Sequence, residues 1–182
     1  PPSRGMVPRH MAEGSRPPYH PAMSFQPPSP FNIAHYFLTQ RIEEGRGGRT
    51  CLRTDEGDFT YAEVDALANR YANLLREAGV RPEERVMIAL PDTVDYVGAL
   101  FGILKLGGVV VMVNPHLKPS EVDYFFAYTR ASVAVVEAES AEVFAQSSKK
   151  SPLLRELFVV GSEDFQGRLA TTSDQSDIYE SH

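Results

Sequence analysis

Tryptophan is absent and cysteine occurs once, at Cys51. A single thiol excludes an internal disulfide framework and a cysteine-rich zinc module. It fits a reducing, cytoplasmic setting. H-E-x-x-H is missing, and so are the G-x-G-x-x-G and G-x-x-x-x-G-K-[ST] phosphate loops. None of the five histidines, at 10, 20, 35, 116 and 182, has metal-ligand spacing. Positive charge is also scarce, with 18 Lys and Arg against 24 Asp and Glu, for a formal charge of −6. That balance speaks against nucleic-acid or anionic-membrane binding. The longest apolar run, Val97 to Val113, has 17 residues, contains Lys105 and is broken at Gly107-Gly108. A membrane helix needs roughly 20, so no span is expected; a helix, a turn and a strand account for the run.

What is plentiful sits in three zones. Nine of the first 30 residues are proline. Such a stretch lacks amide donors and apolar mass, so residues 1–30 read as a disordered leader. A Pro-rich docking ligand is the alternative. Met6, Met11 and Met23 are possible starts, and no apolar h-region marks a secretory signal. Residues 162–182 are polar and acidic, with scattered apolar positions, and read as a linker. Residues 31–161 carry the pattern of a folded α/β unit.

Within that unit, Phe31–Gln40 predicts a short helix with Ile33, Ala34, Phe37 and Leu38 on one face, followed by a loop at Gly45–Gly48. Thr50–Thr54 and Asp58–Thr60 around Glu56-Gly57 predict a hairpin. Thr60 and Glu63 form a capping-box signature. Val64, Leu67, Ala68, Tyr71, Leu74 and Leu75 then follow helical spacing, and Gly79 with Pro82 ends the helix. Four short apolar runs come next: Val86–Leu90, Val109–Val113, Val133–Val136 and Leu157–Val160. Continuous runs mark strands covered on both faces, hence a parallel sheet. Helical segments at Thr93–Leu106, Ser120–Thr129 and Ala138–Ser147 separate them. The expected fold is therefore α/β, a doubly wound, mainly parallel sheet with flanking helices. Gly98 and Gly102, four apart, predict close packing of their helix on the sheet.

Chemistry-bearing residues are few. Cys51 reads as a small apolar strand residue, His35 as a surface or half-buried one, and Arg46-Gly47-Gly48-Arg49 as a solvated loop. The pairs Glu43-Glu44 and Glu83-Glu84 read as solvated carboxylates. Two loops have a positional argument. Pro91-Asp92-Thr93 and Asn114-Pro115-His116 each follow a strand, at the carboxyl end where open α/β sheets bind ligands. His116 is the only ionisable ring there and is the candidate ligand contact. The plainer alternative is a tight strand exit with His116 solvated.

These residues also resemble a known family. Phe59-Thr60-Tyr61-Ala62-Glu63-Val64 resembles the (F/Y)TYxEL opening of adenylate-forming enzymes. Arg81-Pro82-Glu83-Glu84-Arg85-Val86-Met87-Ile88 resembles their xPGDRVxI strand entry, and Leu90-Pro91-Asp92-Thr93-Val94-Asp95-Tyr96 resembles LPNSxEF. The stretch from Leu104 to Pro115 is similar to xxKxGAVxVPLNP, with Gly108 and Met112 in place of the usual Ala and Pro. Leu117-Lys118-Pro119-Ser120-Glu121-Val122 resembles LTPEEL. The matches run in order from Phe31 to Val160, 130 of 182 residues. The phrase from Leu90 to Val109 is most similar to benzoate-CoA-ligase-like members.

The resemblance implies the first subdomain of an acyl-CoA synthetase's AMP-binding domain. Such ligases activate a carboxylic acid with ATP and Mg²⁺, then pass the acyl group to CoA. Their phosphate loop, ribose-binding Asp and catalytic Lys lie downstream of the matched region. No catalytic residue and no metal ligand is therefore carried over, and the segment alone is expected to be inactive and to bind no cofactor by itself. The implied partners are the remainder of the ligase chain and a small carboxylic acid. In some members the residue after Asn-Pro is basic and approaches the CoA phosphate; here it is His116, charged only part of the time near neutrality. The alternative function is a non-catalytic binding or regulatory module derived from such a ligase.

Overall fold

Continuous apolar runs set the sheet. In the computed structural model, which describes residues 26–180, four parallel strands lie in the order β4-β3-β5-β6: β3 (Arg85–Ala89), β4 (Val109–Met112), β5 (Val133–Glu137) and β6 (Glu156–Val160). Side chains alternate across the sheet. Val86, Ile88, Val133, Val135 and Phe158 face one layer of helices, α1 (Tyr61–Glu77), α2 (Val94–Lys105) and α5 (Glu163–Thr171). Met87, Ala89, Ala134 and Val136 face the other, α3 (Pro119–Thr129) and α4 (Ala141–Ser148). Helices on both faces make the sheet doubly wound, as expected. The outer strand β4 is the exception to full cover, with Val109 and Met112 exposed.

Local signals place the elements. Thr60 N donates to Glu63 Oε2 at 2.8 Å, and Thr60 Oγ1 accepts from Glu63 N at 3.3 Å, so the capping box forms. Gly79 closes α1 at φ 78°. Before α1, β1 (Thr50–Thr54) pairs antiparallel with β2 (Gly57–Thr60), with a register shift between Thr50 and Leu52. Cys51 sits at that shift, half-buried, and burial pushes its thiol up from the ordinary range.

Four expectations need correction. The first helical segment does not stop at Gln40: π-helical turns cover His35–Thr39 and Ile42–Arg46. Arg41 pairs with Glu44 at 2.9 Å to hold the second turn, and Gly45 at φ 76° kinks it. Its buried face is Ala34 and Leu38 only; Ile33 and Phe37 are exposed. Gly98 and Gly102 serve the contact of α2 with α1, because the space beside them holds Leu67, Tyr71, Ala68 and Ala72 of that helix. Glu84 is not simply solvated. It meets Arg155 at 2.6 Å, and Arg155 also donates to the carbonyls of Ala78 and Gly79 at the end of α1. Finally, the polar stretch after residue 161 holds α5. Ser162 caps it, and Phe165 packs against Tyr71 and Phe158, so two apolar contacts suffice where no period was visible. The leader expected over residues 1–30, with its three methionines, His10 and His20, lies up to residue 25 outside the described residues, as does His182.

After α5 the chain returns across the α1–α2 layer. Asn69, Asn73 and Arg76, on one side of α1, donate to the backbone carbonyls of Asp174, of Ser173 and Gln175, and of Asp177. Tyr179 lies against Gly107, and its amide donates to Lys105 O at 2.7 Å. Beneath this segment is a buried polar cluster. Lys105 Nζ, 1% exposed, reaches Asp65 Oδ1 at 2.7 Å and Asn69 Oδ1 at 2.6 Å. Thr39 Oγ1 donates to the same Asp65 oxygen at 2.9 Å. Burial holds the Lys105 amine below its ordinary range, and Asp65 opposes that shift. The cluster ties the first helical segment, α1, α2 and the return segment together.

The Glu84–Arg155 pair gives a pH dependence. Hydrogen bonds from Arg155 dominate over partial burial and hold Glu84 at about 2, below the ordinary 4.5. The depressed value means the contribution is present above pH 4.5 and is lost as pH falls towards 2. The urea midpoint should therefore decline over that window, and Glu84→Gln should flatten part of the decline. An unchanged slope in the variant would remove Glu84 as its source.

Candidate functional site

Loops at the carboxyl ends of the strands are placed by strand exits. β3 and β5 are neighbours, yet their chains leave towards opposite faces, to α2 and α4. That divergence makes the carboxyl ends of β3 and β5 a topological switch point, the position at which open α/β sheets hold ligands. Leu90-Pro91-Asp92 leaves β3 here, and Thr93 caps α2 by accepting from Tyr96 N at 3.4 Å. Tyr96 Oη donates to Met112 Sδ at 2.7 Å, pinning the end of β4 to the start of α2.

The loop after β4 carries His116. Asn114 Oδ1 accepts from His116 N at 2.8 Å, a side-chain turn that fixes the loop. His116 remains 70% exposed at its side chain, while Nδ1 lies 3.6 Å from Glu137 Oε1 at the end of β5. That oxygen is buried and accepts no hydrogen bond among the described residues. Imidazole and carboxylate thus face each other at the sheet end, with the ring open to an incoming group. A basic nitrogen held beside a carboxylate can donate to a phosphate oxygen.

The sheet end brings together both loops that the sequence singles out. Glu137 escapes sequence reasoning; its only signal is a charge directly after the apolar run Val133–Val136. The other single-residue candidates lie elsewhere. His35 Nε2 is 3.9 Å from Glu43 on the first helical segment. Arg46 pairs with Glu44 beside the Gly47-Gly48 turn. Two hollows flank these parts. One of about 440 Å³ lies between the hairpin tip and the start of α2, lined by Asp55, Asp92, Thr93 and Tyr96. A larger one of about 610 Å³ lies between the first helical segment and the return segment, away from the strand ends. Among the described residues no group of three His, Cys, Asp or Glu is placed to hold a metal ion, and no helix is long and apolar enough to cross a membrane.

Comparison with known proteins gives the affiliation. The family described as "AMP-binding enzyme" matches residues 39–180. Benzoate–CoA ligase of Thauera aromatica is 33% identical over 152 residues, covering 81% of this chain and 29% of the ligase. A 3-hydroxybenzoate–CoA/4-hydroxybenzoate–CoA ligase of the same organism is 30% identical, covering 76% of this chain and 26% of its own length. Among solved structures, the anthranilate CoA ligase AuaEII in complex with anthranoyl-AMP superposes with a TM-score of 0.78 at 29% identity, over 85% of this chain and 30% of that one. A benzoate CoA ligase from Burkholderia xenovorans LB400 gives 0.72 at 29% identity, over 84% and 31%. The chain spans less than a third of the length of each of these relatives.

Proposed function

This chain belongs to the AMP-binding enzyme family, and we propose that it forms the first α/β portion of an adenylate-forming aryl-CoA ligase working in the cytoplasm. In the proposed reaction a carboxylate oxygen attacks the α-phosphorus of ATP, and pyrophosphate leaves. The CoA thiol then attacks the acyl carbon of the acyl-adenylate, forming the thioester and releasing AMP. Adenylation matters because a carboxylate offers a poor leaving group and AMP a good one. Preorganised charge around the phosphates supplies much of the rate in such chemistry. The choice of an aromatic acid follows the benzoate and anthranilate ligases to which the chain is similar.

The observation that carries the reading is the topological switch point between β3 and β5, with Pro91-Asp92-Thr93, Asn114-Pro115-His116 and Glu137 at that end of the sheet. In this reading the sheet is the floor of the activating site. His116 donates to a phosphate oxygen of CoA, and Glu137, 3.6 Å from Nδ1, orients the ring. No catalytic residue is assigned to the chain itself; the remainder of the ligase supplies the groups that bind ATP. Magnesium would accompany the nucleotide. The described residues offer no acidic cluster for it, so no step is assigned to it.

The 182-residue chain should not exchange labelled pyrophosphate into ATP above background in the presence of benzoate. A product extended through the coding sequence beyond His182, carrying a Ser/Thr/Gly-rich loop with a lysine, should do so. Exchange by the short chain would overturn its dependence on other segments. A folded extended product that never exchanges, with any of a panel of aromatic and aliphatic acids, would overturn the ligase reading.

A further inference from the structure

The amino ends of the strands, opposite the His116 loop, carry a feature the ligase reading does not use. Among the described residues only two non-glycine residues occupy the left-handed backbone region, Glu83 at φ 65° and Arg130 at φ 56°. Side chains with a Cβ are disfavoured there, and glycine is the usual occupant of such a helix end. Both lie in turns that enter the same end of the sheet: Glu83 precedes β3, and Arg130 closes α3 just before β5. Arg85 sits between them. Its Nε donates to Thr129 O at 3.0 Å, and its Nη1 to Glu83 O at 3.4 Å. Backbone strain of this kind persists where the surroundings hold it, and it concentrates at working sites.

The two turns frame a hollow of about 180 Å³ lined by Glu84, Arg85, Arg130, Ser132, Leu153 and Arg155. Three guanidinium groups meet one carboxylate. Glu84 is already bound by Arg155, at 2.6 and 3.2 Å. Arg85 and Arg130 have no carboxylate partner among the described residues. An excess of positive charge therefore faces this hollow on a chain whose net charge is −6. Arg130 also lines an adjoining hollow of about 260 Å³, where Lys150 pairs with Asp123 at 2.6 Å.

We infer that this amino-end hollow binds a small phosphate-bearing anion, gripped by Arg85 and Arg130. Guanidinium forks match phosphate oxygens in pairs. Arg85 is held in place by two carbonyls before any ligand arrives, so little side-chain freedom is lost on binding. Arg130 keeps a strained backbone because that position aims a cation at the opening.

The test is an NMR titration of the chain with inorganic phosphate, inorganic pyrophosphate and succinate, each at constant ionic strength set with sodium chloride. Saturable shifts at Arg130, Ala131, Ser132 and Arg85 Nε are expected for the two phosphate probes. Arg130→Gly should melt higher than the parent, since glycine suits φ 56°, yet bind pyrophosphate about tenfold more weakly. Glu83→Gly should also melt higher, which measures relief of strain apart from the loss of a guanidinium. Shifts that sodium chloride alone reproduces, or equal affinity in Arg130→Gly, would overturn the site. Succinate bound as tightly as phosphate would overturn the ligand class.

Discussion

Replacing Gly102 by valine is expected to remove about 3 kcal/mol or more of stability, at the upper edge of what overpacking costs. A Cβ at this position would lie 2.6 Å from Tyr71 Cβ, 2.9 Å from Ala68 O and 3.0 Å from Ala72 N. Two of those three neighbours are backbone atoms of α1, which cannot rotate away. The two helices would have to separate and open the layer that covers Val86 and Ile88. Gly102→Ala sets a gain in helix propensity of about 1 kcal/mol against overpacking of about 1–3 kcal/mol, so a smaller net loss follows. Gly98→Ala is the internal control. Its new Cβ would meet Leu67 at 2.7 and 2.9 Å and Tyr71 at 3.0 Å, all side-chain atoms that can give way. Urea unfolding at constant m-value should rank the three variants as valine at 102, alanine at 102, alanine at 98. Parental stability in Gly102→Val would show that α1 and α2 do not touch there.

The second large effect concerns Asp65. Asp65→Ala leaves the Lys105 ammonium buried with only the neutral acceptors Asn69 Oδ1 and Thr39 Oγ1. Breaking a buried pair in this way costs about 3–5 kcal/mol. Lys105→Met should cost less. The Asp65 carboxylate would keep the Thr39 hydroxyl and the Asn69 amide as donors, and its side chain is 11% exposed against 1% for Lys105. The double variant Asp65→Leu/Lys105→Met should recover much of the loss, because it removes both charges together. Equal costs for the two single variants, or a double variant no better than Asp65→Ala, would rule out the pair as the source. Amide exchange at Thr39 and over residues 173–179 should quicken in Asp65→Ala, since the same cluster anchors both segments.

Much of this fold is legible in the residues, and the reasons are local. Val86–Leu90 and Val133–Val136 read as doubly covered strands because an unbroken apolar run has no polar face to offer solvent. Thr60, Glu63 and Gly79 fix the ends of α1 through contacts only a few residues apart. The missed features depend on contacts made far along the chain. Asp65 and Asn69 follow each other by four residues, like any solvated pair on a helix, until Lys105 arrives from α2 to pair with the carboxylate and donate to the amide oxygen. Phe165 and Leu169 give too few apolar positions for a period, and the helix rests on the Ser162 cap and on the distant Tyr71, Phe158 and Glu156. The candidate site shows the same division. Parallel strands are implicit in the alternation of helices and strands, so the Asn114-Pro115-His116 loop could be placed at a carboxyl end. The facing carboxylate of Glu137 could not, because the neighbour of β4's loop is decided by the crossover that carries β5 to the far side of β3.

The return segment is held mainly by donors that reach main-chain oxygens, from Ser173 to Asp177, with the Ser176 hydroxyl accepting from Arg76 and the Tyr179 ring lying against Gly107. A contact of that kind senses the path of the chain and is indifferent to what the chain is made of. New side chains at residues 174, 175 and 177 should therefore leave these bonds in place, whereas loss of Asn69, Asn73 or Arg76 on the opposing helix should free the whole stretch whatever its composition.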